Sequence, residues 1–513
     1  MGIPLLENRT SLAGARPAER ARRRRYALLA AGTVAMLFAV GGRWDVPLAA
    51  WLFPVLLLRF ARTTGPRAGT VWTWAAHLAA AAFWVYESAM GSGPVVLAGA
   101  AALSAVQTVP FLLDRLLAAR LDRWTGTLVF PAAVAAAEFL ITLLSPFGTA
   151  YGSLAVTQHG DLSLLQVTSI TGSYGIGFLI AWSAAAVNGF WQEPSRPAAR
   201  PAATCAAVLA AVALAGGARL ALLPHDGRTV RIAGVSPART AAAAEHAALA
   251  RIPGGRQGIA AAPPAAVDPA TTAAQDDLLA ATRREAAAGA KIVVWPENAV
   301  PAQAAREPAV IAAARAEARR SRVYLDIGIA VYDTAGPAFG RDETVLLGPD
   351  GAVLWTYQKA HPIPGSETYK PGDGRVPVVP TPYGRIANVI CYDADFPAMM
   401  RVRADIMLVP AHDWREYGRP HTDKAGLRAV EGGYALVRQD AEGLSAAFDA
   451  RGRVLATADY FASGRQTLVA DVPVRGATTP YDRIGDLFAW LCLAAVPLLA
   501  ALAVRNRRAR GAA

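Results

Sequence analysis

The chain has 513 residues, of which 54% are hydrophobic and only 18% charged, and its mean hydropathy is +0.28. That balance argues against a soluble enzyme and for a membrane protein. The net charge of +12 does not point to nucleic acid, because the arginines gather at the two ends and beside apolar runs, with no aromatic-basic platform.

Residues 1–25 are polar and close on Arg22–Arg25, and are expected to form a basic cytoplasmic tail. A membrane region of seven spans is predicted over 26–224, from apolar runs at about 26–42, 46–60, 70–87, 94–113, 128–144, 172–190 and 202–223. A cleaved signal peptide accounts for the first run but not for the six after it. Residues 225–480 are soluble in character, 487–504 form a final span, and 505–513 a second basic tail.

Cytoplasmic loops carry the excess of lysine and arginine. With the N-terminus inside, the inner loops hold Arg59, Arg62, Arg67, Arg115, Arg120, Arg123, Arg196 and Arg200, whereas the outer loops hold Arg43 alone. Seven spans then place residues 225–480 outside the cytoplasm. Glu87 and Glu138, near or within spans, are candidate functional groups or ends that reach the headgroups. Trp44, Trp51, Trp72, Trp74 and Trp84 fit interfacial anchors.

Within the soluble part, Val230–Val235 reads as a strand, 238–269 as poorly patterned, and Thr271–Ala288 as a helix. Lys291–Trp295 reads as a strand buried on both faces, followed by a helix at about 307–320 and a strand at 322–331. Further strands are expected near 343–348, 352–358, 386–390, 405–410, 434–438, 445–448, 453–457 and 467–472, with hairpin turns at Gly348–Gly351 and Asp449–Gly452. This alternation predicts α/β sheets covered by helices on their outer faces.

Three short stretches end predicted strands: Val294-Trp-Pro-Glu297, Tyr357-Gln-Lys359 and Ile390-Cys391-Tyr392. Strand ends are where open α/β folds gather their sites. A carboxylate, an amine and a thiol together can carry acyl transfer. Each residue also has a plainer reading. Cys391 could be a buried spacer like Cys205 and Cys492, which lie in apolar runs. Glu297 could open a helix, and Lys359 could be a solvated end of a hairpin. Lysine occurs only at 291, 359, 370 and 424 in an arginine-rich chain, which favours a specific need for an ammonium at 359. The three cysteines form no disulfide framework or metal spacing, and His361 and His412 have no partners at ligand spacing, so no metal or cofactor is expected.

In this order WPE, YQKAHPIPGSE and ICYDADFP resemble the nitrilase superfamily, and the likeness continues through Pro410–Trp414 and Arg428–Tyr434. Phe147-Gly148, Gln158, Leu164–Phe178, Asn188 and Thr479–Gly485 resemble the membrane segment of the bacterial apolipoprotein N-acyltransferase family. The resemblance implies about eight spans with an inserted nitrilase-like αββα sandwich in a bacterial cell membrane. It implies Glu297 as general base, Cys391 as nucleophile, and Lys359 with the amide of Tyr392 as oxyanion holders. Glu367 would be a second, orienting carboxylate, and Tyr392 and Trp414 would wall the pocket. A phospholipid would give up an acyl chain to the amine of a lipoprotein's diacylglyceryl-cysteine. Two departures stand out: Ala360–Glu367 is closer to soluble amidases, which keeps a membrane-anchored amidase as the alternative, and His412 stands where the family favours Asn. Asp393 and Asp395 receive no role.

Overall fold

The computed structural model describes residues 9–222 and 227–512. The start of the N-terminal tail and the expected junction near 224–225 lie outside the described residues.

Each of the eight apolar runs lies largely in a helix, the first ending at Leu37 rather than 42: Arg9–Leu37, Pro47–Thr63, Pro66–Ser88, Pro94–Leu117, Arg123–Leu144, Tyr174–Gln192, Arg196–Leu222 and Leu487–Ala512. Among the described residues, four helices are by themselves long and apolar enough to cross a membrane: Pro94–Arg120, Arg123–Leu144, Arg196–Leu222 and Leu487–Arg510. A fifth is reached if the pair Leu162–Thr171 and Tyr174–Gln192, bent by 114°, counts as one span. Large apolar side chains such as Val71, Leu97, Leu214, Leu491 and Leu498 face outward, as a lipid-facing surface requires.

The basic ends are helical where they are described. Residues 9–25 continue the first helix and 505–512 the last, since Ala and Arg are good helix formers and arginine remains solvated at a helix end. Two expectations change. Trp84 is buried against Tyr151 and Tyr417 rather than anchored at an interface, and Trp51 donates to Gln158. Glu87 and Glu138 face inward, accepting from the backbone N–H of Trp44 and Leu154 respectively.

Among the described residues, thirteen strands build the remainder: β1 (Thr229–Val235), β2 (Ile292–Val294), β3 (Val300–Gln303), β4 (Tyr324–Tyr332), β5 (Arg341–Leu347), β6 (Val353–Gln358), β7 (Val378–Thr381), β8 (Gly384–Asn388), β9 (Ile406–Ala411), β10 (Ala435–Asp440), β11 (Leu444–Phe448), β12 (Val454–Asp459) and β13 (Thr467–Pro473). One sheet runs β13-β1-β2-β4-β5-β6, with β3 also on β4; the other runs β12-β11-β10-β9-β8-β7. The central strands β1, β2 and β4 are parallel, as are β8, β9 and β10. Their near-continuous apolar runs fit burial on both faces.

The inner faces meet through Ile232, Val294, Trp355, Ile386, Leu408 and Val437. The outer face of the first sheet is covered by Pro264–Ala287 and Glu307–Ser321, that of the second by Gly418–Gly432. The result is the expected αββα sandwich. The stretch at 238–269, poorly patterned as sequence, folds into Arg239–Leu249, Gly255–Ala261 and the first turns of Pro264–Ala287. Its alanines supply helix propensity without an apolar stripe, so periodicity gave no signal there.

Candidate active site

Glu297 owes its position to an interrupted strand. β2 and β3 both pair in parallel with β4, β2 beside Tyr324–Asp326 and β3 beside Ile329–Tyr332. The chain between them turns out of the sheet at Trp295–Ala299, with Asn298 in the left-handed region at φ 54°. Pro296 can pass so close to β4 because residue 328 is glycine: a Cβ there would lie 1.9 Å from the Pro296 carbonyl oxygen. No helix follows Glu297, so the helix-opening alternative does not hold. Trp295 anchors the turn, donating its indole N–H to Thr282 at 3.0 Å.

Lys359 follows β6 directly and is fully buried. Its backbone N–H donates to the Asp342 carbonyl on β5 at 2.9 Å, extending the sheet by one residue. Nζ donates to Glu297 Oε1 at 2.6 Å and to Glu367 Oε1 at 2.9 Å. Glu367 also accepts from the Ile363 N–H at 2.8 Å, which closes the loop over the lysine. Burial works against the ammonium, but Glu297 and then Glu367 outweigh it and hold its pKa well above the ordinary value. Burial likewise opposes ionisation of Glu297, but the Lys359 charge outweighs it and brings the carboxyl down to about 2. At rest these two side chains are a closed ion pair.

Cys391 begins a single 3₁₀ turn, Cys391–Asp395, three residues past β8, and is a left-handed non-glycine residue with φ 48°. That conformation costs on the order of 1 kcal/mol, and it presents a residue off a strand end as an elbow. The side chain is fully buried. Burial first, and the Glu297 charge next, push its thiol well above the ordinary pKa, while Lys359 and Arg438 pull the other way. The thiol is therefore neutral at rest and needs a base.

Asp393 and Asp395, unassigned from sequence, have clear structural work. Asp393 Oδ2 accepts from the Tyr357 hydroxyl at 2.8 Å, and Oδ1 accepts from the His361 N–H at 2.8 Å, so one buried carboxylate ties the lysine strand to the cysteine turn. His361 also contacts Asp393 through Nδ1 at 3.1 Å and stacks on Phe396, a structural role. Asp395 reaches the membrane half, accepting from the Thr149 N–H through its carbonyl at 2.8 Å and from the Thr149 hydroxyl through Oδ1 at 3.1 Å. Gly148 permits this approach, since a Cβ there would sit 2.5 Å from the same carbonyl.

A residue that sequence reasoning missed is Arg438, on β10 and fully buried. Nη2 lies 3.8 Å from Cys391 Sγ, 2.7 Å from Asp413 Oδ2 and 2.8 Å from His421 Nδ1, and Nη1 donates to the Cys391 carbonyl at 3.5 Å. An arginine that directly follows the apolar run Tyr434-Ala-Leu-Val437, within a strand, was the available signal. Cys391, Asp413 and His421 come within metal-ligating distance of one another, as do Glu297, Asp342 and Glu367. Each group already surrounds a cation of the chain, Arg438 in the first and Lys359 in the second.

Tyr392 and Trp414 face the membrane helices. The Tyr392 hydroxyl donates to the Pro146 carbonyl at 3.2 Å, and Trp414 donates to the Ser88 carbonyl at 2.5 Å. Tyr392, Ile363 and Pro364 meet Trp84, Val96, Leu103 and Phe147 around a small apolar cavity of about 40 Å³. Trp414 packs beside that lining, against Ile363 and Tyr392.

Comparison with known proteins follows the same division. Residues 30–186 match the apolipoprotein N-acyltransferase N-terminal domain, and residues 256–481 match the carbon-nitrogen hydrolase family. An apolipoprotein N-acyltransferase of Geobacter metallireducens is 26% identical over 414 residues, covering 72% of each chain. One from Caulobacter vibrioides is 29% identical over 239 residues, covering 39% of this chain and 44% of that one. Among solved structures, an amidase from Nesterenkonia sp. is 23% identical, with a TM-score of 0.38 over 48% of this chain and 92% of that one. With one family model on its helical half and the other on its sandwich, the chain belongs to the apolipoprotein N-acyltransferase family and is an enzyme of the nitrilase superfamily.

Proposed function

We propose that the protein moves a fatty acyl chain from a membrane phospholipid, through a thioester on Cys391, to the N-terminal amine of the diacylglyceryl-cysteine of apolipoproteins. The observation that carries this reading is the apolar cavity that Tyr392, the residue after Cys391, shares with the membrane helices, in a chain whose Glu297 and Lys359 form a buried pair. A site for a small amide has no need of a wall made from Trp84, Val96 and Leu103. An acyl chain drawn from lipid does, since it would otherwise cross water at about 0.8 kcal/mol per methylene.

In the first half-reaction Glu297 accepts the Sγ proton as the sulfur attacks the ester carbonyl carbon. Lys359 and the Tyr392 N–H hold the resulting oxyanion. As the ammonium turns to that oxygen, its grip on Glu297 loosens and the carboxylate becomes more basic, so proton transfer and attack assist each other. Collapse breaks the ester C–O bond, and Glu297 returns the proton to the departing lysophospholipid oxygen. In the second half-reaction the acceptor's neutral amine attacks the thioester and gives a proton to Glu297. The C–S bond breaks, and the proton ends on Cys391. Glu367 orients Lys359, Tyr392 and Trp414 wall the entrance, and Arg438 steadies the thiolate.

The arginine asymmetry of the loops supports eight spans with residues 225–480 outside the cytoplasm of a bacterial cell, where both lipid substrates would be met. The test is intact-mass spectrometry after incubation with phospholipid and then a diacylglyceryl-cysteine peptide. The expected result is an acyl adduct on Cys391 that chases onto the peptide amine and is absent in Cys391→Ala. Equal transfer by Cys391→Ala would overturn the mechanism. An adduct discharged only to water would replace the acceptor assignment with an amidase.

A further inference from the structure

Three carboxyl groups converge on the single ammonium of Lys359. Glu297 lies 2.6 Å from Nζ and Glu367 2.8 Å, but Asp342 Oδ2 stands off at 3.8 Å. One carboxyl oxygen from each of the three acids lies within 4.8 Å of the others. Asp342 and Lys359 are fully buried and Glu297 is 1% exposed. Three anions against one cation, with only Glu367 partly exposed, would leave two uncompensated negative charges at spacings where like charges repel by several kcal/mol. One proton has to stay in the cluster.

Geometry decides which acid holds it. Glu297 and Glu367 both contact Nζ closely and are the natural ionised partners. Asp342 is presented by β5, where side chains alternate: Arg341 and Glu343 pair with each other on one face, and Asp342 points to the other. Neither of its carboxyl oxygens has a donor, and Glu297 Oε2 has none either. Two buried acceptors side by side and both unmet are costly, and a proton on one satisfies both. Its backbone is fixed as well, by pairing with Ala330 on β4 and by accepting from the Lys359 N–H. Consistent with this, burial and then the Glu297 charge raise Asp342 well above the ordinary carboxyl range.

We propose that Asp342 is a positioning residue of this site: a neutral carboxylic acid that donates its proton to Glu297 and so holds that carboxylate oriented toward Lys359. The inference rests on the reading that Glu297, Lys359 and Cys391 carry the acyl transfer. Raising the pH until Asp342 ionises sets two carboxylates against each other and turns Glu297 off the lysine. The charged and titratable groups facing this cluster are Glu297 beyond β2, Tyr357 and Lys359 on β6 and its end, Glu367 and Tyr369 in the following loop, and Cys391 on the elbow. His412 acts on Glu297 from beyond β9, and Arg256 lies over Tyr369.

The experiment uses the full chain in detergent with phospholipid, comparing the native protein with Asp342→Asn, which keeps an N–H donor but cannot ionise, and with Asp342→Ala. Thioester formation is followed by intact mass across pH, beside infrared difference spectra in light and heavy water. Asp342→Asn is expected to form the adduct within about threefold of native and to lose the alkaline decline, while Asp342→Ala slows it by at least about tenfold, in kcat rather than KM. The native-minus-Asn infrared difference is expected to show one protonated carboxylic acid, since the other buried acids cancel. A decline as deep in Asp342→Asn as in Asp342→Ala, an unchanged alkaline limb in Asp342→Asn, or no such band overturns the inference. Should Asp342→Ala fail to fold, the Asp342→Asn profile and the infrared band decide alone. If the native protein acquires no adduct on Cys391, the acyl-transfer reading fails, and the infrared band still decides the protonation of Asp342.

Discussion

Replacing Lys359 with Met keeps all but the last atom of the side chain's length and removes the ammonium from a cluster of acids. The magnitude follows from Glu297. Burial alone would push this carboxyl above its ordinary 4.5, and the lysine is the largest influence bringing it to about 2. At about 1.4 kcal/mol per tenfold, that depression corresponds to roughly 3 kcal/mol of stabilisation of the folded, ionised state. Breaking a buried pair by removing one partner costs a similar amount, about 3–5 kcal/mol. Because the folded pKa is depressed, this contribution is fully present above about pH 4.5 and is lost as pH falls toward 2. Lys359→Met is therefore expected to unfold some 5–10 °C below native in detergent at neutral pH, with the gap narrowing in acid. The same change removes the oxyanion's cation and leaves Glu297 protonated, so thioester formation should fall by at least about a thousandfold. Thermal unfolding across pH and adduct formation by intact mass measure the two effects. A variant that acylates within tenfold of native, or whose stability deficit does not shrink in acid, would refute the reasoning.

Arg438→Met leaves the thiolate with Lys359 as its one close cation; alkylation of Cys391 by iodoacetamide at neutral pH should slow by about tenfold, and an unchanged rate would remove Arg438 from the site. Asp393→Ala unties Tyr357 and the His361 backbone from the cysteine turn; a stability loss of about 2 kcal/mol and acylation slower by about a hundredfold are expected from unfolding and adduct measurements. Ala100→Trp fills the cavity between Tyr392 and the membrane helices; it should cut acylation from long-chain phospholipid by about tenfold while leaving iodoacetamide labelling unchanged, and equal loss of both would mean a general structural defect.

The eight apolar runs were legible because hydropathy over a long window does not depend on partners, and all eight lie largely in helices. The buried strands were legible as continuous apolar runs. β3 and β7 were not: Val300–Gln303 and Val378–Thr381 have four residues each and contain proline, so no alternation can develop. The helix Gly418–Gly432 escaped for another reason. It is buried on nearly every side and carries His421, Lys424, Arg428 and Glu431 inward, so its pattern lacks the apolar stripe that marks a helix packed on one face.

The site divides along the same line. Glu297, Lys359, Glu367 and Cys391 were legible from residue type, strand ends and order along the chain, and the fold brings Glu297, Lys359 and Glu367 into direct contact and faces them toward Cys391. Asp342, Asp393, Asp395 and Arg438 were not, because each acts only through a neighbour distant in sequence: a sheet partner, the lysine loop, Thr149, or the cysteine itself. What the sequence by itself determined was a membrane protein with an α/β insert and the chemical types gathered in it, since burial preference and strand ends are local properties. Only the tertiary structure decided that Tyr392, next to the cysteine, faces the membrane helices and that one buried cluster holds more carboxyls than cations. Both follow from distances between residues far apart in the chain, and charge balance in a water-free cluster depends on those distances alone.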